Sequence, residues 1–103
     1  MGKTHMTELA FSGLGLNPIT ATPANPFNEE LVSGGSSSGS AVSVSRNYCF
    51  ASIGSDTGGS VRIPAAWNNL VGLKTTHNLI DLTGVLKLCP SFDTLGPICR
   101  NVD

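Results

Sequence analysis

The stretch GSDTGGSVRIPAAW, Gly54 to Trp67, places an aspartate, two adjacent glycines, a serine and an arginine within a few positions of one another. Two chemistries are open to it. Asp56-Thr57-Gly58 is the short signature of aspartic proteases, in which two such loops bring carboxylates together to share one proton. Against that, a second glycine follows at Gly59, the preceding strand ends in Gly54-Ser55, and no glycine-rich flap hairpin is evident. Alternatively Ser60 is a nucleophile. Gly58 and Gly59 let the chain turn sharply ahead of it, since neither carries a Cβ. The amides of Thr57, Gly58, Gly59 and Ser60 could then converge on one point and hold a tetrahedral oxyanion. A serine hydroxyl needs a base within hydrogen-bond reach. His5 and His77 are the usual candidates by type, yet neither has a recognisable partner, and both read better as surface or capping residues.

A second stretch, GGSSSGSA from Gly34 to Ala41, is rich in glycine and small hydroxyls. It lacks the Gly-Lys-Ser/Thr ending of a phosphate-binding loop. Its composition also suits a flexible linker, but apolar AVSV follows at once and calls for an ordered loop. Between Ser36 and Ser60 the sequence has room for one helix and one strand.

The elements that must position these loops are mixed. THMTELAF reads as a short helix with Thr4 or Thr7 as N-cap. SGLGLNPITATPANPFNEE, punctuated by Pro18, Pro23 and Pro26, reads as a long ordered loop or a pair of turns. AVSVSRNY is helix or strand, CFASIG a short buried strand, LVGLK a further apolar stretch, and LIDLTGVLKL a hairpin. The class is α/β, without clean βαβ periodicity.

The chain has 103 residues, enough for at most one ordinary domain with a modest core. Hydrophobic residues make up 40%, aromatic ones 6% and charged ones 13%, and the net charge is −1. So little charge suggests a segment built to be covered by other protein, and no basic surface for nucleic acid is present. Cys49, Cys89 and Cys99 are odd in number and lack C-x-x-C spacing, which argues against a disulfide framework and a zinc site. No signal peptide, membrane span or myristoylation pattern is present, so the expected location is cytoplasmic.

Taken together, GGSSSGSA, the intervening helix and strand, GSDTGGSVRIPAAW and GLKTT resemble the amidase signature family, serine hydrolases that cleave carboxamides. The resemblance runs nearly the whole chain: GKTHMTELAFSGLGLNP and PSFDTLGPICRNV match the flanks of the two loops. It implies a partial amidase signature domain over residues 1–103, the central segment of a mixed sheet covered by helices. It implies a Ser–cis-Ser–Lys triad in which Ser60 is the nucleophile and Ser36, after a cis peptide bond from Gly35, relays the proton. The amides of Thr57, Gly58, Gly59 and Ser60 would form the oxyanion hole, with Ser37, Asp56 and Arg62 supporting the loops and Asp56 accepting hydrogen bonds from loop amides. The substrate class is a small-molecule amide, with no metal or cofactor. The base, a lysine made neutral by burial, lies upstream of GKT in the family. Lys3, Lys74 and Lys87 do not match it and read as surface or strand-end lysines, Lys87 standing where proline is common. Asn78 stands where the family has glycine, which suits a left-handed position. The expectation is therefore a fragment that folds poorly alone and lacks amidase turnover. The rival expectation is a non-catalytic remnant serving as a binding segment.

Overall fold

The computed structural model describes residues 1–103. Helix α1 covers Ser38–Ser45, strand β1 Ala51–Asp56, helix α2 Arg62–Trp67, strand β2 Val71–Gly72 and strand β3 Thr94–Cys99. The strands form one antiparallel sheet in the order β1-β3-β2, with Ala51 opposite Cys99 and Asp56 opposite Thr94. Ala41 of α1, Val61, Ala65 of α2 and Ile98 of β3 make a small buried cluster, with Leu70 packed against it. Both helices therefore cover the face of the sheet that carries Ile98.

The two helices end by the same device. After α1, Asn47 takes a left-handed conformation (φ 60°), its amide donates to Val44 O, and the Tyr48 amide donates back to Ser43 O. After α2, Asn69 is left-handed (φ 54°) and the Leu70 amide donates to Ala65 O. This is the Schellman pattern, with asparagine in the place glycine usually takes. Asn78 is also left-handed (φ 65°), the conformation anticipated for it. Pro64 falls in the first turn of α2, where a missing N–H costs nothing.

Three expectations about elements require correction. THMTELAF does not form an α-helix: only a 3-10 turn at Glu8–Ala10 is present, because Leu9 (φ 51°) and Ala10 (φ 57°) leave the right-handed region. The strand read at CFASIG begins later, at Ala51, and is not buried. It lies at the sheet edge with Ile53 59% and Phe50 89% exposed. LIDLTGVLKL is not a hairpin. Its turn closes from the Val85 amide to Leu82 O with Gly84, third of the four residues, at φ 82°. That is the sign pattern of a type II turn, whose twist splays flanking strands instead of pairing them.

The reading of residues 12–30 as an ordered loop holds. The Asn17 side chain donates to Met6 O (3.0 Å), and that of Asn25 to Val32 O and Trp67 O (3.2 Å each). A single bridge joins Ala24 and Val32. Ser33 to Ser38 are all buried, so this stretch is no flexible linker. Much apolar surface stays open, including Phe11, Phe27, Leu86 and Phe92, each more than 60% exposed. No helix is long and apolar enough to cross a membrane.

Candidate active site

The serine-rich loop and the Ser60 loop meet directly. The Ser37 amide donates to Ser60 O (3.1 Å), and the Ser37 hydroxyl both donates to Ser55 O and accepts from the Ser55 amide, at 3.2 Å each. One buried serine thus ties the first loop to the end of β1 and to the residue after the glycine pair. The Thr7 amide donates to Ser36 O (3.0 Å), which fastens the first loop from its other side. The Asn68 side chain reaches back to Ser33 O (2.6 Å) and Pro64 O (2.7 Å), coupling the loop to α2.

The Gly35–Ser36 peptide bond is cis. Gly35 has no room for a side chain: a Cβ there would lie 2.6 Å from Gly15 N and 2.8 Å from Ser12 O. The Ser36 hydroxyl is fully buried and has no hydrogen-bond partner. Ser60 is half-buried.

Asp56 organises the second loop. Its carboxylate is fully buried and accepts from the amides of Gly59 (2.9 Å) and Val61 (3.1 Å) and more distantly from Arg62 (3.4 Å). The Arg62 guanidinium grips both of its oxygens at 3.0 Å, a two-point contact that fixes direction as well as charge. Burial alone would raise the Asp56 carboxyl. The Arg62 guanidinium and the Val61 and Arg62 amides more than offset it and hold the group at about 2, below its ordinary 3.8. The same contact raises Arg62 above its ordinary value. A carboxylate so engaged has no free face for a second carboxylate to share a proton with, and the aspartic-protease reading fails on that ground.

The four loop amides are not equivalent. The Gly59 amide donates to the Asp56 carboxylate (2.9 Å) and is occupied in this structure. The amides of Thr57, Gly58 and Ser60 make no backbone hydrogen bond. Gly59 also holds the turn open: at φ 138° its missing Cβ would sit 2.7 Å from Ile63 Cδ1.

Lys74 is more than a strand-end lysine. Its ammonium donates to Asp56 O (2.7 Å), Phe92 O (2.9 Å) and Thr94 Oγ1 (3.2 Å), and lies 3.4 Å from Asp56 Oδ1. Three acceptors engage its three N–H groups, so it acts as a donor to this frame. Lys3 and Lys87 are exposed. His5 Nε2 lies 2.9 Å from Thr20 Oγ1, and His77 Nε2 lies 2.9 Å from Pro90 O, so neither is placed as a base for Ser60. Sequence reasoning also passed over Asp93. It accepts from the Thr57 hydroxyl and from the amides of Leu88 and Cys89 (3.0 Å each). Burial works to raise its carboxyl, and those donors bring it below the ordinary range. Asp93 is separated from Thr57 by most of the second half of the chain, and only the sheet register, Asp56 opposite Thr94, would have exposed the pair.

A cavity of about 480 Å³ opens between the Thr4–Ala10 segment, Ser37, Ser55 and Val85–Leu88. Neither Ser36 nor Ser60 lines it.

Known proteins resemble this chain in sequence and in fold. The chain is 44% identical to the matching glutamyl-tRNA(Gln) amidotransferase subunit of Lachnospira eligens over 102 residues, covering 99% of the chain and 21% of that protein. It is 45% identical over 105 residues to 2-amino-5-chloromuconic acid deaminase of Comamonas testosteroni, covering 100% of the chain and 23% of the relative. Among solved structures, native peptide amidase from Stenotrophomonas maltophilia superposes with a TM-score of 0.93 at 39% identity, over 99% of this chain and 22% of that one. The chain thus spans little more than a fifth of the length of the proteins it matches. The family model described as Amidase matches residues 1–103, every residue of the chain, and the chain belongs to the amidase family.

Proposed function

We propose that residues 1–103 carry the nucleophile and the proton relay of a serine amidase. The observation that carries this reading is the pairing of an unpartnered, buried Ser36 hydroxyl with a loop that Ser37 ties to Ser60. A buried hydroxyl without a partner costs stability, on the order of 1–3 kcal/mol. Thr7 Oγ1, Ser33 Oγ, Ser38 Oγ and Asn68 Oδ1 are buried without a partner as well, and what sets Ser36 apart is the tie of its loop to Ser60 through Ser37.

In this mechanism Ser60 Oγ attacks the carbonyl carbon of a carboxamide. Its proton passes through Ser36 to a neutral lysine supplied from outside residues 1–103. The oxyanion is held by the amides of Thr57, Gly58 and Ser60. The carbon–nitrogen bond then breaks, the proton goes to the leaving nitrogen, and water hydrolyses the acyl-Ser60 ester. Ser37, Asp56 and Arg62 hold the two loops in register and take no proton. The substrate is a small-molecule amide, acted on in the cytoplasm without a cofactor.

The test is a chimera in which residues 1–103 replace the matching stretch of the Stenotrophomonas peptide amidase. It is expected to release ammonia from a peptide amide and to gain one fluorophosphonate adduct at Ser60. Ser60→Ala is expected to remove the adduct and lower turnover by on the order of 10⁴-fold or more. A folded chimera that neither hydrolyses nor labels would favour a non-catalytic binding segment. Turnover undiminished in the alanine variant would place the nucleophile elsewhere.

A further inference from the structure

The peptide group between Asp56 and Thr57 is held from one side by two donors that the reaction itself does not use. Asp56 O accepts from Lys74 Nζ at 2.7 Å and from Thr94 Oγ1 at 2.9 Å. Lys74 Nζ in turn donates to Thr94 Oγ1 at 3.2 Å, so the two donors brace each other. Asp56 is fully buried and Thr94 nearly so. This peptide is trans, the one cis bond of the chain being Gly35–Ser36. In a trans peptide the C=O and N–H of one plane point in opposite directions. Fixing the carbonyl toward Lys74 and Thr94 therefore fixes the Thr57 N–H toward the other side, where no backbone acceptor takes it. The Thr57 side chain is tied down as well, by its hydroxyl to Asp93.

We infer that Lys74 and Thr94 are positioning residues that orient and polarise the Thr57 amide as an oxyanion donor. The inference deepens the serine-amidase reading and rests on it. Two effects combine. An oxyanion donor is effective when it needs no reorganisation as charge develops, and a plane clamped by two donors on its carbonyl needs none. An ammonium on the carbonyl oxygen also draws electron density from the peptide nitrogen, and chains of hydrogen bonds strengthen one another in this way. The Gly59 amide lies in the same loop but is spent on the Asp56 carboxylate. The loop thus separates amides used for its own support from one prepared for a ligand.

The decisive pair of variants, made in the peptide-amidase chimera, is Thr94→Val and Thr94→Ser. Valine keeps the shape and removes the hydroxyl, while serine keeps the hydroxyl and removes a methyl. Thr94→Val is expected to lower kcat by about tenfold with KM unchanged, a fraction of the roughly 10²–10³-fold that loss of an entire oxyanion donor costs. Thr94→Ser is expected to stay within about threefold of the parent. Lys74→Met should show the same split between kcat and KM with a larger fall in kcat. If it does not fold, the two Thr94 variants still decide the matter. Thr94→Val with undiminished kcat, a change in KM alone, or Thr94→Ser as impaired as Thr94→Val would overturn the inference. Those results leave the Ser60→Ala comparison untouched, so failure of the clamp is distinguishable from failure of the serine-amidase reading.

Discussion

The loop from Asp56 to Arg62 and the segment from Asn78 to Pro90 are both turn-rich and free of regular structure at their centres, yet the first is polar and the second largely apolar, and they are held in different ways. The first is built on a buried carboxylate within the loop and on further bonds that reach across the chain. Asp56 gathers three amides and a guanidinium, Lys74 and Thr94 reach Asp56 O, and Ser37 reaches Ser60 O. The second is held largely by near neighbours. Asp81 accepts from the amide and hydroxyl of Thr83, the Leu79 amide donates to Thr76 O and the Val85 amide to Leu82 O. The first loop hides a charged group completely, whereas Asp81 is exposed. A loop becomes a fixed frame when a buried side chain of its own gathers its amides and distant elements hold its carbonyls. Held mainly by its own turns and near neighbours, a segment stays at the surface.

Breaking the frame should test this contrast most severely. Asp56→Ala would leave the Arg62 guanidinium and the Gly59, Val61 and Arg62 amides without their acceptor, and a buried donor left unsatisfied costs on the order of 1–3 kcal/mol. The expected outcome is a chimera with a much lower urea midpoint and fast hydrogen exchange over residues 57–62. Unchanged exchange there would mean the loop is held by something other than Asp56.

Acid should produce a smaller effect of the same origin. The Asp56 carboxyl sits at about 2 in the folded chain, below its ordinary 3.8. Its contribution is therefore present above pH about 4 and is lost as pH falls toward 2. The shift corresponds to at most about 2 kcal/mol, reduced by solvent around the half-exposed Arg62 side chain. Comparing the acid limb of stability in the parent and in Asp56→Asn should show a shallower slope in the variant. Equal slopes would assign the acid sensitivity to other carboxylates, Asp93 first.

The smallest effect is expected in the surface segment. Asp81→Ala removes two local, exposed hydrogen bonds and should change stability by no more than about 0.5 kcal/mol. A loss comparable to that of Asp56→Ala would erase the distinction between the two regions.

The amino-acid sequence by itself determined the features that depend on residue type at one place. The glycine pair before Ser60 allows the turn, asparagine at position 78 takes the left-handed backbone, and the prolines and asparagines between positions 12 and 30 build a loop instead of a helix. Those signals are local, because steric and torsional limits act within a few bonds. The resemblance carried by the two loops also led correctly to the family and its α/β fold. Only the tertiary structure decided which donors and acceptors meet. It made Lys74 an anchor of the Asp56 carbonyl and set Asp93 beside Thr57. It also left β1 at a sheet edge and turned LIDLTGVLKL away from pairing. These outcomes follow from strand register and from competition for a limited set of buried hydrogen-bond partners. Neither is written in any short window of sequence, since each partner lies many residues from the group it satisfies.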